Sequence, residues 1–124
     1  MTPGQFCWNE LATNNLQASK DFYGKVFGWK FIDHSMGDTT YTMIQLGDNN
    51  FGGIWSIPKD QEHHIPPHWM SYILVKNLNE SVKSAEKAGA SIIKPATQAG
   101  EMGKFAIITD PVGAHIAMWE PAAS

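Results

Sequence analysis

Short apolar stretches and amphipathic segments alternate along the chain and predict its secondary structure. The segment Phe6–Thr13 is rich in apolar residues and ends at polar ones, a pattern typical of a strand. Asn14 and Asn15 follow, and either side chain can cap a helix. Apolar residues then recur at helical spacing as far as Gly28, which ends the pattern because glycine readily adopts positive φ. A strand and a helix near 15–27 are therefore predicted.

Three more strands complete this first set of elements. We expect them at residues 29–34, 40–46 and 51–57, with a turn at Gly47-Asp48-Asn49-Asn50. Residues 59–67 are polar and rich in proline, which is typical of a linker.

The same order of elements follows the linker. A strand is expected at residues 68–76 and a helix at 78–88, with Asn77 before the helix and Gly89 after it. The last three strands are expected at residues 90–95, 105–109 and 114–120. Asp110-Pro111-Val112-Gly113 is a turn sequence that joins the final two strands.

The two halves can be superposed along the sequence. At an offset of 62 residues, Asn15-Leu16 falls on Asn77-Leu78 and Asp48 falls on Asp110. An internal repeat constrains the architecture more than the assignment of one strand does. The sequence therefore predicts one α+β domain over residues 1–124, built from two βαβββ repeats at about 5–58 and 68–121.

Composition and charge exclude several classes of protein. The 124 residues are 43% apolar and 17% charged, a globular profile. The net charge is −3 and the basic residues are scattered, so no nucleic-acid surface is predicted. The N-terminus lacks the pattern of a signal peptide, and no stretch approaches the roughly 18 apolar residues of a membrane span. With one cysteine, Cys7, an intrachain disulfide is excluded, and we expect a soluble cytoplasmic protein without membrane association.

Two segments of the sequence resemble those of a known superfamily. Residues 14–29, NNLQASKDFYGKVFGW, resemble its helix pattern D-L-x-x-S-x-x-F-Y-x-x-x-L-G. Residues 109–120, TDPVGAHIAMWE, resemble its final hairpin D-P-D-G-x-x-I-E-L. The superfamily is that of the vicinal oxygen chelate proteins, which includes glyoxalase, bleomycin-resistance proteins and dioxygenases. The resemblance implies a cupped mixed sheet with a helix packed on each half.

The resemblance also implies where a metal would be held. Members with a metal take one ligand from the first and the last strand of each repeat, usually His, Gln or Glu. The corresponding residues here are Trp8, Met70, Ala117 and either Gly53 or Ile54. These side chains are not ligands for a divalent cation of this kind. We therefore expect no metal and no other cofactor.

Alternation along the strands predicts which other residues share the cup. If Trp8, Met70 and Ala117 line it, then Glu10 and His115 line it too, and these two are candidates for acid–base catalysis. A hydrogen-bonded pair without chemistry is the alternative. We expect the small-molecule ligand to contact six residues of the cup: Trp8, Trp55, Met70, Tyr72, Ala117 and Trp119.

The function remains open between two classes at this point. One is a metal-independent lyase or isomerase of the glyoxalase-like type. The other is a non-enzymatic protein that binds a small organic molecule, as the drug-resistance members do.

His63, His64 and His68 form a cluster in the linker, where a surface position is expected rather than a metal site. A homodimer is expected as well, because two-module members of the superfamily commonly pair.

Overall fold

The computed structural model describes residues 1–36 and 39–123, and these form eight strands and two α-helices. The predicted α+β fold of two βαβββ repeats is confirmed. A short 3-10 helix at Lys59–Gln61 lies in the predicted linker. The elements in chain order are β1 (Phe6–Thr13), α1 (Leu16–Phe27), β2 (Lys30–Met36), β3 (Thr39–Leu46), β4 (Asn49–Ser56), β5 (His68–Leu74), α2 (Leu78–Lys87), β6 (Ser91–Ala99), β7 (Gly103–Thr109) and β8 (His115–Pro121).

The chain divides into two compact units that nearly follow the repeats. One unit is residues 8–70, and the other is residues 71–124 together with residues 1–7. In the second unit, the N–H of Gly4 donates to the carbonyl of Leu74 at 2.8 Å, and the N–H of Leu74 donates to the carbonyl of Gln5 at 2.9 Å. These hydrogen bonds explain why the N-terminal residues belong with the second repeat.

In residues 8–70 the strand order is β2-β3-β4-β1. β1 runs parallel to β4, whereas β2, β3 and β4 are antiparallel neighbours. Helix α1 begins where the Asn15 side chain accepts a hydrogen bond from the N–H of Ala18, and it ends at Gly28 in the left-handed conformation. Gly28 was predicted to end the helix, and Asn15 is one of the two residues, with Asn14, that the sequence offered as its cap.

The core of this unit packs one face of the sheet on α1. Leu11, Ile44 and Ile54 are buried, and Leu16 and Tyr23 of α1 contact them. Burial of aliphatic side chains of this size contributes about 1.5–3 kcal/mol each, so this face holds the helix in place.

A lysine of α1 attaches the helix to the sheet a second time. Lys20 Nζ lies 2.6 Å from Asp33 Oδ2 on β2, and the hydroxyl of the buried Thr42 donates to Asp33 Oδ1 at 2.6 Å. The hydrogen bond from Lys20, followed by that from Thr42, lowers the pKa of Asp33. The stabilisation from this depressed pKa is present above the ordinary carboxyl pKa and is lost as the pH falls through the lower folded value.

The second unit repeats this arrangement with the order β5-β8-β7-β6. β5 runs parallel to β8, and the remaining neighbours are antiparallel. Its core joins Leu78 of α2 with Ala106, Ile108 and Met118 of the sheet. The side chain of Asn77 caps α2 by accepting from the N–H of Glu80, as the sequence predicted.

Some strand boundaries differ from those expected. β6 extends to Ala99, four residues beyond the predicted end at Pro95. Register shifts in its pairing with β7 accommodate the proline, because an edge strand tolerates a residue without an N–H. Asn49 and Asn50, predicted as turn residues, begin β4.

No helix in residues 1–36 and 39–123 is long and apolar enough to cross a membrane.

The core position of Leu78 gives a direct test of the second unit. Its side chain is 0% exposed, so Leu78→Ala should leave a cavity and lower the free energy of unfolding by about 2–5 kcal/mol. Val112→Ala is the control, since Val112 is 94% exposed and the change should stay within about 0.5 kcal/mol. Urea denaturation measures both values. Equal effects of the two substitutions would contradict the packing described here.

Candidate functional site

One face of the sheet in residues 8–70 carries three of the predicted site residues, Trp8, Glu10 and Trp55. Leu11, Ile44 and Ile54 point to α1, and side chains alternate along a strand. Glu10 and Gly53, next to two of them in sequence and paired with each other, therefore lie on the opposite face. We refer to this side of the sheet as the helix-free face of residues 8–70.

Tyr41 joins two predicted site residues on this face. The indole Nε1–H of Trp8 donates to the Tyr41 hydroxyl at 2.9 Å. The same hydroxyl donates to Glu10 Oε2 at 2.8 Å. Trp8 and Glu10 therefore share one face, as strand alternation predicted. The three half-buried side chains form a network that spans β1 and β3.

Tyr41 on β3 reaches Glu10 on β1 because the strand between them, β4, has no side chain at Gly53. β4 lies between β3 and β1, and its Gly53 pairs with Glu10 on one side and with Met43 on the other. A Cβ atom built on Gly53 would overlap the Tyr41 hydroxyl and ring. Glycine at this position therefore opens the path by which the tyrosine crosses β4.

The electrostatics of the network keep Tyr41 protonated. Burial raises the pKa of its hydroxyl far above the ordinary value, and the negative charge of Glu10 raises the pKa further, while the hydrogen bond from Trp8 opposes the shift. A phenol with a raised pKa is a hydrogen-bond donor and not a base at physiological pH. In this pair, Tyr41 is the donor and Glu10 is the acceptor.

The second unit places an apolar counterpart on its own helix-free face. Tyr72 pairs with Ala117, and Phe105 pairs with Trp119. The rings of Tyr72 and Phe105 are in contact, with centroids 6.4 Å apart. An aromatic pair here takes the place of the carboxylate and phenol of the first unit.

The strand registers align the two units residue by residue. Tyr72 lies 62 residues after Glu10, which is the offset of the repeat, and these residues pair with Ala117 and Gly53 respectively. Gly53 is thus the counterpart of Ala117. The implied metal position that the sequence left open between Gly53 and Ile54 is therefore Gly53. By the same register, Tyr41 corresponds to Phe105.

The four positions implied for a metal are therefore Trp8, Gly53, Met70 and Ala117. Gly53 and Ala117 have no donor atom, the Trp8 indole N–H is a donor only, and a methionine thioether is a soft ligand. Within residues 1–36 and 39–123, no group of three or more His, Cys, Asp or Glu is arranged to hold a metal ion. This set of donors does not fit a divalent cation.

The remaining predicted residues lie in both units. Trp55 is half-buried on β4 and pairs with Tyr41, while Met70 is buried at 7% exposure. His115 begins β8, opposite Thr109, and is exposed. Glu10 and His115 belong to different units, and their convergence stays a prediction.

Cavities border the helix-bearing side of each unit. One of about 310 Å³ in residues 8–70 is lined by Asn9, Trp29, Ile44, Phe51, Gly52 and Trp69. One of about 500 Å³ in the second unit lies beside α2 and includes Ile108 and Met118. Trp8, Glu10 and Tyr41 line neither of them. The aromatic cavity and the predicted site are thus separate features.

Sequence reasoning missed Tyr41, which holds the network together. The available signal was the glycine pair Gly52-Gly53 inside a strand, which marks a place where another group comes close. The sequence alone does not identify that group as a side chain from β3.

Known proteins share both the sequence pattern and the fold. The family model of the Glyoxalase/Bleomycin resistance protein/Dioxygenase superfamily matches residues 5–118. The chain belongs to this superfamily. The resemblance drawn from residues 14–29 and 109–120 is confirmed.

Two curated relatives in the superfamily match nearly all of the chain. "Putative glyoxylase CFP32" of Mycobacterium bovis is 31% identical over 115 residues, which cover 91% of this chain and 44% of the relative. "Anthracycline biosynthesis protein DnrV" of Streptomyces peucetius is 26% identical over 129 residues, covering 94% and 47%. The chain thus spans about half the length of these relatives.

A solved structure extends the likeness to the whole described fold. Methylmalonyl-CoA epimerase from Mycobacterium tuberculosis superposes with a TM-score of 0.69 over 98% of this chain and 90% of that one. The sequence identity is 15%, so this likeness concerns the fold.

The crossing of Tyr41 over Gly53 can be tested by substitution. Gly53→Ala should lower the free energy of unfolding by about 1–3 kcal/mol, since the added methyl group overlaps the tyrosine. In a Tyr41→Ala background the same change should cost less, which gives a coupling of about 1 kcal/mol or more.

Gly24→Ala serves as the control for the glycine substitution. The nearest atoms to a Cβ there lie at 3.5 Å, and alanine is favoured in a helix, so stability should be kept or increased. A Gly53→Ala cost that is independent of Tyr41 would contradict the described crossing.

Proposed function

We propose that the chain binds a small organic molecule on the helix-free face of residues 8–70, without a divalent metal. The observation that carries this proposal is the hydrogen-bonded network of Trp8, Tyr41 and Glu10 on this face. The network combines indole and phenol rings with one carboxylate acceptor. A largely apolar surface with a few fixed polar groups is typical of small-molecule sites.

The aromatic content of the face indicates the shape of the ligand. Trp55 pairs with Tyr41, and Tyr41 is bonded to Trp8, so three aromatic side chains follow one another on this face. Flat rings stack favourably on such surfaces. The second unit carries Tyr72, Phe105 and Trp119 on its own helix-free face, where the rings of Tyr72 and Phe105 are in contact.

The Streptomyces relative lends independent support to a flat ligand. Its name places it in anthracycline biosynthesis, and anthracyclines are planar polycyclic molecules. A ligand of this general shape matches tryptophan and tyrosine faces. The proposal for this chain is a planar polycyclic or similarly flat organic molecule.

A metal-independent lyase or isomerase is the second candidate function. Glu10 would act as the base and His115 as its partner, on a substrate held by the same aromatic residues. The observation that favours this function is the hydrogen bond from Tyr41, which orients the Glu10 carboxylate as proton transfer requires. Glu10→Gln separates the two functions, because an enzyme would lose turnover of a co-purified ligand and retain its binding.

The binding function predicts affinity for a neutral planar probe. Acridine should bind in calorimetric titration, and Trp55→Ala should weaken binding by about tenfold through the loss of roughly 1.4 kcal/mol of ring contact. Trp69→Ala is the matched control, because Trp69 packs on Tyr23 and Trp29 away from the network. Binding that is insensitive to Trp55 but lost in Trp69→Ala would place the ligand in the aromatic cavity instead.

We also propose that the protein forms a homodimer. The exposed side of α1 carries Phe22, Val26 and Phe27, each more than half exposed, and apolar side chains of this size are enriched at interfaces. Light scattering should give the mass of two chains at micromolar concentration. Phe22→Ser combined with Phe27→Ser should reduce it to one chain. A one-chain mass for the unaltered protein, unchanged on concentration, would refute the dimer.

A further inference from the structure

We infer that the cavity of about 500 Å³ beside α2 is a second binding site, for an unbranched aliphatic chain with a hydroxyl head group. We refer to this space as the α2 cavity. All of its lining residues belong to the second unit, so it is separate from the helix-free face of residues 8–70. The inference therefore goes beyond the proposed function and does not depend on it.

The sheet side of the α2 cavity is aliphatic. Four side chains of the sheet line it, namely Ile73 on β5, Ile108 on β7, and Ile116 and Met118 on β8. The described lining residues include no aromatic ring, so this wall buries a flexible hydrocarbon chain and offers no surface for stacking. Its volume falls within the range of about 300–1,000 Å³ that is typical of small-molecule sites.

The helix side of the α2 cavity is polar. Glu80, Ser81 and Ser84 of α2 line it opposite the aliphatic wall. Ser81 is half-buried, so its hydroxyl lies close to the apolar part of the space. A ligand that fits both walls has an apolar chain and a small polar group at one side.

The first repeat shows why the second one has space here. In the first repeat, the hydroxyl groups of Thr13 and Ser19 are hydrogen-bonded at 2.8 Å, which ties the first turns of α1 to the end of β1. At the offset of 62 residues, Val75 and Ser81 occupy these positions. Valine has no hydroxyl and cannot make this bond, and both Val75 and Ser81 line the cavity. The second repeat thus has a serine hydroxyl directed to a hydrogen bond that its own strand does not supply.

The charges around the α2 cavity favour a neutral head group. Lys76 and Glu80 both line it, both are exposed, and their charges are opposite in sign. Neither an anionic nor a cationic head group is therefore preferred. A hydroxyl group can donate to and accept from the serine side chains, which have the same capacity.

A series of linear alcohols tests the inference. In calorimetric titrations, affinity should rise from 1-butanol through 1-hexanol to 1-octanol by about fourfold for each added methylene group. Octanoate and octylammonium have the same chain with a charged head, and both should bind more weakly than 1-octanol. In a methyl-labelled ¹³C–¹H correlation spectrum, 1-octanol should shift the signals of Ile108 and Ile116. The signals of Ile44 and Ile54, which are in the other unit, should stay in place.

Substitutions on α2 locate the site. Ser81→Leu adds a larger side chain to the cavity wall and should lower the affinity for 1-octanol at least tenfold. Asn79→Leu is the matched control, because Asn79 is an exposed residue of the same helix that does not line the cavity, and the affinity should be unchanged.

Val75→Thr tests the role of the Ser81 hydroxyl with almost no change in volume. It supplies the partner that Thr13 provides in the first repeat, so it should engage Ser81 and lower the affinity for 1-octanol about threefold. This variant also keeps the inference testable if Ser81→Leu does not fold.

The outcomes separate this inference from the proposed function. The inference is overturned if none of the alcohols binds, if 1-octanol binds without shifting Ile108 and Ile116, or if Ser81→Leu leaves its affinity unchanged. Tighter binding of octanoate or octylammonium than of 1-octanol would show that the class of head group is wrong. Acridine affinity should be the same in Ser81→Leu as in the unaltered protein, so the proposed function stands or falls on its own titration.

Discussion

The Tyr41 hydroxyl reaches Glu10 because the strand between them carries no side chain at Gly53. This crossing positions the Glu10 carboxylate and orients the Trp8 indole. It also determines the polarity of the helix-free face in residues 8–70. A ladder of backbone hydrogen bonds holds β3, β4 and β1 in register, so the three side chains meet without any flexible segment. Rigid elements of this kind keep polar groups positioned better than loops do.

The two repeats share one backbone register but carry side chains of different chemistry at the matching positions. Where the first has Glu10, Tyr41 and Gly53, the second has Tyr72, Phe105 and Ala117. In both, a small residue on the last strand leaves room for a contact between side chains on its two neighbours. One contact is a hydrogen bond to a carboxylate and the other is an aromatic pair. Both repeats thus keep one backbone register, although the side chains at the matching positions differ in chemistry.

The sequence was sufficient for the elements of the fold. Periodic apolar residues, the caps Asn15 and Asn77 and the terminating Gly28 are local signals, and the structure follows them closely. The end of β6 was less predictable, because Pro95 argues locally against a strand that its pairing with β7 tolerates.

The site was only half predictable for a related reason. Alternation along β1 correctly placed Trp8 and Glu10 on one face, since that rule concerns a single strand. The partner they share lies two strands away, and identifying it requires the register of both β3 with β4 and β4 with β1. A tyrosine in an apolar strand gives no sequence signal for such a contact.

The network itself can be observed in solution through the indole protons of the five tryptophans. In a ¹⁵N–¹H correlation spectrum, the Trp8 indole signal, identified by its loss in Trp8→Phe, should exchange slowly with solvent because it donates to Tyr41. Tyr41→Phe should shift this signal and speed its exchange, while the Trp29 and Trp69 signals stay in place. A Trp8 indole that exchanges freely, or that ignores the loss of the Tyr41 hydroxyl, would contradict the network from which the rest of this account is built.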